Sequence, residues 1–82
     1  MADLLREQCR AARALIEWSQ LDVADAAKVS RQTVVDFERG ARQPHANNLA
    51  AIRTAIEKAG VEVIAENGGG PGVRLAKKRG KR

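Results

Sequence analysis

The sequence predicts a mostly α fold: four short helices followed by a C-terminal β-hairpin. Three observations carry this. Apolar residues recur at helical spacing from residue 3 to about residue 59. Serines stand just before two of these runs, and glycines stand just after two of them, at Gly40 and Gly60. Beyond Gly60 the period falls to two in VEVIA, and ENGGGPG separates this from a second short run, VRLA.

The first helix is expected over residues 3–16, DLLREQCRAARALI. Leu5, Cys9, Ala12 and Ile16 form its apolar stripe, with Asp3 as a cap and Trp18 beyond it as a lid on the core. Ser19 opens the second helix, and Asp22 three residues on can answer it in a capping box; Val23, Ala24 and Ala27 face inward. Ser30 caps a third helix from Arg31 to about Arg39, which Gly40 stops. ARQPH at 41–45 is a loop. A fourth helix follows over about 46–59, with Leu49, Ile52, Ile56 and Ala59 on one face. Val61 and Val63 then alternate with Glu62 and Ile64, as in a strand. Two strands around the glycine-rich break make a hairpin, which is marginal in water and so must lean on the helices or on another subunit.

With 82 residues the chain predicts one small domain. A domain of this size buries only roughly 60–65% of its unfolded surface, so it has to be compact or dimeric. Trp18 and Phe37 are its only aromatic residues, so Ala, Val, Leu and Ile must make the core. Cys9 has no partner for an internal disulfide and reads as a small core residue; with no secretory signal or long apolar run, a cytoplasmic protein is expected. One cysteine and one histidine form no metal-ligand cluster, and no GK[ST] follows the triple glycine, so neither an enzyme, a metal nor a cofactor is expected. Net charge is +5, yet residues 1–76 hold ten basic and ten acidic residues. The excess lies in KKRGKR at 77–82, expected to be a disordered basic tail suited to phosphate backbones or acidic surfaces.

Only Lys28 to Ser30 separate the second and third helices. So short a turn forces a large crossing angle and needs a small residue at the contact, which Ala24 supplies; Val23, Ala27, Val29, Val34 and Phe37 make the shared core. This is the layout of a helix-turn-helix, whose second helix enters the DNA major groove with its first turn leading. That turn is Arg-Gln-Thr. Arg31 can donate to guanine O6 and N7, and Gln32 can pair with adenine N6 and N7. Asp36 can accept from cytosine N4, or orient Arg31 or Arg39.

WSQ, VADAAKVSRQTV, FERG and RQP, spread over about residues 10–60, together resemble the Cro/repressor-type, or XRE-type, helix-turn-helix regulators. ENGGGPGVRL resembles the C-terminal extension of many small bacterial proteins of that type. The resemblance implies a four-helix phage-repressor-like domain at 1–60. It implies base reading by Arg31, Gln32 and Asp36, with Val35 near a thymine methyl. Gln20 matches the family's phosphate-contacting glutamine; Ser30, Thr33, Arg39 and Arg42 are further phosphate candidates. It also implies a partly buried structural ion pair between Arg13 and Glu38. Two positions depart from the pattern. Lys28 stands where the family usually has glycine, and a left-handed lysine costs about 1 kcal/mol. His45 stands where a capping serine is common.

The function expected is a sequence-specific DNA-binding transcription regulator, a repressor in the simplest case; the alternative is an antitoxin-like protein that neutralises a partner protein and autoregulates its operon. The partner expected is double-stranded DNA with a near-palindromic operator, bound by a homodimer of a bacterial or phage protein. Residues 61–76 are the expected dimerisation element, because the hairpin's edges and an apolar face of Val61, Val63, Val73 and Leu75 call for cover. No membrane role is expected.

Overall fold

The computed structural model describes residues 3–76, and the basic run 77–82 lies outside them. Four helices run in order, α1 (Arg6–Ile16), α2 (Gln20–Ala27), α3 (Arg31–Glu38) and α4 (Ala46–Lys58), followed by strands β1 (Val61–Ile64) and β2 (Gly72–Leu75). The predicted fold class holds.

The start of α1 differs from the sequence reading. Asp3 does not cap it. Leu5 is the N-cap residue, with extended backbone at φ −89° and ψ 152°. Helical spacing therefore does not yet apply at Leu4 and Leu5. Leu4, not Leu5, turns inward: Leu4 is 2% exposed and Leu5 43%. Gln8, Cys9 and Ala12 make the buried stripe. Nothing in the sequence points to Gln8, because a glutamine on an apolar face reads as a gap. Its Oε1 accepts the Leu5 N–H at 2.9 Å, half of a capping box. Its Nε2 donates to the carbonyls of Ile64 at 2.9 Å and Gly72 at 3.0 Å. One buried amide thus closes the helix start and fastens both strands to it.

The remaining helices follow their caps. Ser19 Oγ accepts the Asp22 N–H at 3.0 Å while Asp22 Oδ2 accepts the Ser19 N–H at 2.9 Å. Ser30 Oγ accepts the Thr33 N–H at 3.0 Å. Arg39 is the C-cap of α3 rather than its last residue, and Gly40 follows at φ 76°, a left-handed conformation natural to glycine. The core is aliphatic: Leu4, Val23, Val34, Ile52, Ile56 and Val61 are its largest fully buried side chains, with Phe37 beside them and Trp18 packed at its margin.

β1 and β2 pair antiparallel, with Val61 opposite Leu75, Glu62 opposite Arg74 and Val63 opposite Val73. The alternation puts Val61, Val63, Val73 and Leu75 on one face, as expected. That face is largely covered by the chain itself. The hairpin packs on α1 and α4. Val61 is only 1% exposed, Val63 and Val73 pack against the core, and Leu75 alone is left at 38%. Of the two supports open to it, the hairpin therefore leans on the helices of its own subunit. On the opposite face Arg74 Nε donates to Glu62 Oε1 at 2.9 Å, both side chains exposed.

Candidate nucleic-acid interface

The interface is built where α2 and α3 meet. The turn between them passes through Lys28 at φ 60° and ψ 43°, so lysine adopts the left-handed conformation usually given to glycine. Ser30 then starts α3. Val34, Phe37 and Glu38 are buried. Their burial fixes the helix's rotation and sets Arg31 and Gln32 in solvent at its tip, with Val35 and Asp36 half-buried one turn on. The Arg31 guanidinium is in no hydrogen bond or ion pair with another described residue.

Gln32, Asp36 and Arg39 form a connected row along α3. Gln32 Nε2 donates to Asp36 Oδ1 at 2.8 Å, and Arg39 reaches the same oxygen with Nε at 3.3 Å and Nη2 at 3.2 Å. The Gln32 amide first, and the Arg39 guanidinium after it, hold the Asp36 carboxyl below its usual range. Of the two orienting roles open to Asp36, the contact is with Arg39 and not Arg31. Ser30 and Thr33 share a hydroxyl–hydroxyl bond of 2.8 Å. A cleft of about 440 Å³ opens beside them, lined by Ser30, Gln32, Thr33, Asp36 and, from the loop and the start of α4, Arg42, Gln43, Pro44, His45 and Asn48. His45 occupies the N-cap of α4 without a side-chain capping bond. Gln43 and Asn48 were not singled out in the sequence. Gln43 lies inside RQP, which served there as a pattern element, and Asn48 looks like any polar position on a helix surface.

Glu38 is the hub under this surface, 2% exposed. Arg13 grips it bidentately, with Nε to Oε2 at 2.8 Å and Nη2 to Oε1 at 2.7 Å. Gln20 Nε2 donates to Oε1 at 3.0 Å, the Cys9 thiol to Oε2 at 3.1 Å, and Arg10 Nη1 to the Glu38 carbonyl. Burial alone would raise the Glu38 carboxyl, but the donors Arg13, Cys9 and Gln20 outweigh it and hold it below the usual range. Burial, and then the adjacent carboxylate, push the Cys9 thiol far up, so it stays protonated as a donor. Gln20 is thus held at the start of α2 by one amide N–H, with its second N–H and its oxygen uncommitted to Glu38. Arg13 also donates to the Trp18 carbonyl at 3.2 Å, tying the end of α1 to the cap of α2.

Two helices across a tight turn, the second presenting its polar tip outward, define a helix-turn-helix DNA-binding domain. A family model described as helix-turn-helix matches residues 10–60, and the chain belongs to that family. Its family and fold are those of DNA-binding transcription regulators. Among solved structures, it is similar to the solution structure of the DNA-binding domain of the P22 c2 repressor, with a TM-score of 0.59 and 28% identity, covering 70% of this chain and 76% of that one. No curated protein sequence matches significantly. Among the described residues no group of three metal-ligating side chains occurs, and no helix is long and apolar enough to cross a membrane.

Proposed function

We propose that this protein is a transcriptional repressor that reads the DNA major groove with α3 and occludes its operator as a homodimer. The observation that carries the reading is the tip of α3: Arg31 and Gln32 are exposed, while the capping bond of Ser30 and the buried Val34, Phe37 and Glu38 hold the helix rigidly behind them. Arg31, Gln32 and Val35 face base edges in this reading. Gln20, Ser30, Thr33, Arg39 and Arg42 lie along the phosphates, joined by Gln43 and Asn48 across the cleft. The neutral balance of residues 1–76 fits a surface that binds through placed groups rather than bulk charge.

One recognition helix spans too few base pairs to single out a genomic site, and two-fold pairing on half-sites roughly 10–10.5 base pairs apart supplies the rest. The 61–76 hairpin is the proposed pairing element. A two-stranded sheet keeps two open edges whatever covers its face, and Leu75 is exposed beside one of them. The test of the function is footprinting of genomic fragments bound by the full chain, followed by the same assay with Arg31→Ala. A protected near-palindromic site that is lost in the variant supports the reading. Protection without sequence preference, or preference untouched by the substitution, defeats it.

A further inference from the structure

We propose that Asp36 is a positioning residue for base recognition: it occupies one N–H of the Gln32 amide, so that Gln32 selects adenine and rejects guanine. This rests on the reading of Gln32 as a base reader. The two side chains lie one turn apart on α3, with Gln32 Nε2 donating to Asp36 Oδ1 at 2.8 Å. Arg39 holds that same oxygen from the other side at 3.2 and 3.3 Å. Asp36 is therefore braced rather than free to swing into the groove, and its side chain is 22% exposed against 66% for Arg39.

The consequence follows from the hydrogen-bonding capacity of a carboxamide. Its nitrogen carries two N–H groups and its oxygen only accepts. With one N–H taken by Asp36, Gln32 meets the groove with a single donor beside a single acceptor. Adenine offers the complement, N7 as acceptor and N6–H as donor. Guanine offers two acceptors, N7 and O6. An unpinned amide can meet both acceptors by turning its two N–H groups toward them. The pinned amide has one N–H left, and its oxygen would face O6. Flipping the amide gives no escape, because Oε1 would then point at the Asp36 carboxylate.

The experiment is selection of bound duplexes from a random-sequence DNA library by the full-length wild type, Gln32→Ala, Asp36→Ala, Asp36→Asn and the Gln32→Ala/Asp36→Ala double variant, with folding checked by circular dichroism. The wild type is expected to enrich a motif in which Gln32→Ala flattens one column. In that same column Asp36→Ala is expected to raise guanine relative to adenine by roughly tenfold, the scale of one good bidentate contact. Asp36→Asn retains an acceptor oxygen, but its N–H groups can also receive a flipped Gln32 oxygen, so it is expected to return only part of the adenine preference, between wild type and Asp36→Ala. The double variant is expected to match Gln32→Ala in every column. If Asp36→Ala flattens a column of its own, or the double variant loses a second one, Asp36 reads a base itself and the proposal fails. An Asp36→Ala profile identical to wild type also overturns it. Failure of the underlying reading looks different: Gln32→Ala leaves every column unchanged.

Discussion

Arg31 and Gln20 are both polar, and both sit at a helix N-terminus, yet their surroundings differ. Among the described residues Arg31 has no partner, whereas Gln20 is held by Glu38. In the proposed complex Arg31→Ala is expected to lower specific affinity by about 1–3 kcal/mol and to relax preference at one base pair per half-site. Gln20→Ala is expected to weaken binding to operator and random DNA alike. Titration of both variants against both DNAs checks the pair, and equal losses for Arg31→Ala would remove it from the base readers. Glu38 acts one layer down. Its carboxyl is depressed in the folded state, so it contributes stability above its ordinary value of 4.5, and that contribution is lost as pH falls through the depressed value. Glu38→Gln keeps the shape but leaves Arg13 without its charge partner, at a cost of roughly 3–5 kcal/mol near neutrality. Urea melts across pH 3–7 should show the variant's stability falling less steeply on acidification than that of the wild type.

At the scale of elements, two local devices can be tested without DNA. The turn between α2 and α3 forces Lys28 to φ 60°. Lys28→Gly is expected to stabilise the fold by at most roughly 0.5 kcal/mol, since relief of the left-handed strain is largely offset by glycine's added freedom in the unfolded chain. For a domain of this size each kcal/mol moves the melting temperature by about 4–8 °C, so calorimetry resolves the change. The hairpin depends on Gln8, whose amide serves the Leu5 N–H and the carbonyls of Ile64 and Gly72. Gln8→Leu strips these groups of their partner inside the protein, and a loss of roughly 1–3 kcal/mol is expected. Hydrogen exchange should show β1 and β2 losing protection before α2 and α3 do. Uniform loss across the fold would mean that the hairpin and helices unfold as one unit.

For the whole molecule the question is assembly on DNA. Because the inner face of the hairpin is already covered, the proposed dimer must form through strand edges and the exposed rim around Leu75 rather than through a large apolar face. Such an interface is small, so a weak dimer strengthened by operator binding is expected. Sedimentation of the full chain with and without operator checks this, and Leu75→Lys should shift the equilibrium toward monomer without unfolding it. A wild-type chain that stays monomeric at high concentration and on DNA would remove the hairpin from this role. The 77–82 run adds five positive charges to an otherwise balanced chain. Deleting it is expected to flatten the dependence of binding on salt, because fewer counterions are released, while preference for operator over competitor DNA barely moves.

The element order, the helix-turn-helix and the candidate recognition helix are all legible in the sequence. These depend on local rules: serine caps at Ser19 and Ser30, glycine after α3 and α4, and a period that changes at Val61. Such signals act within one or two turns of chain, so they can be read in one dimension. Tertiary structure decided what depends on groups far apart in sequence. Leu4 rather than Leu5 turns inward because the chain is still extended there. Gln8 is buried because carbonyls more than fifty residues away accept its amide. Asp36 faces two claims, from Gln32 and Arg39, and only the rotation of α3 on its buried side shows that both are met by one oxygen. The apolar face of the hairpin was legible as a face, but which surface covers it was not. Alternation says that a strand has an inside, while packing against α1 and α4 decides whose inside it is.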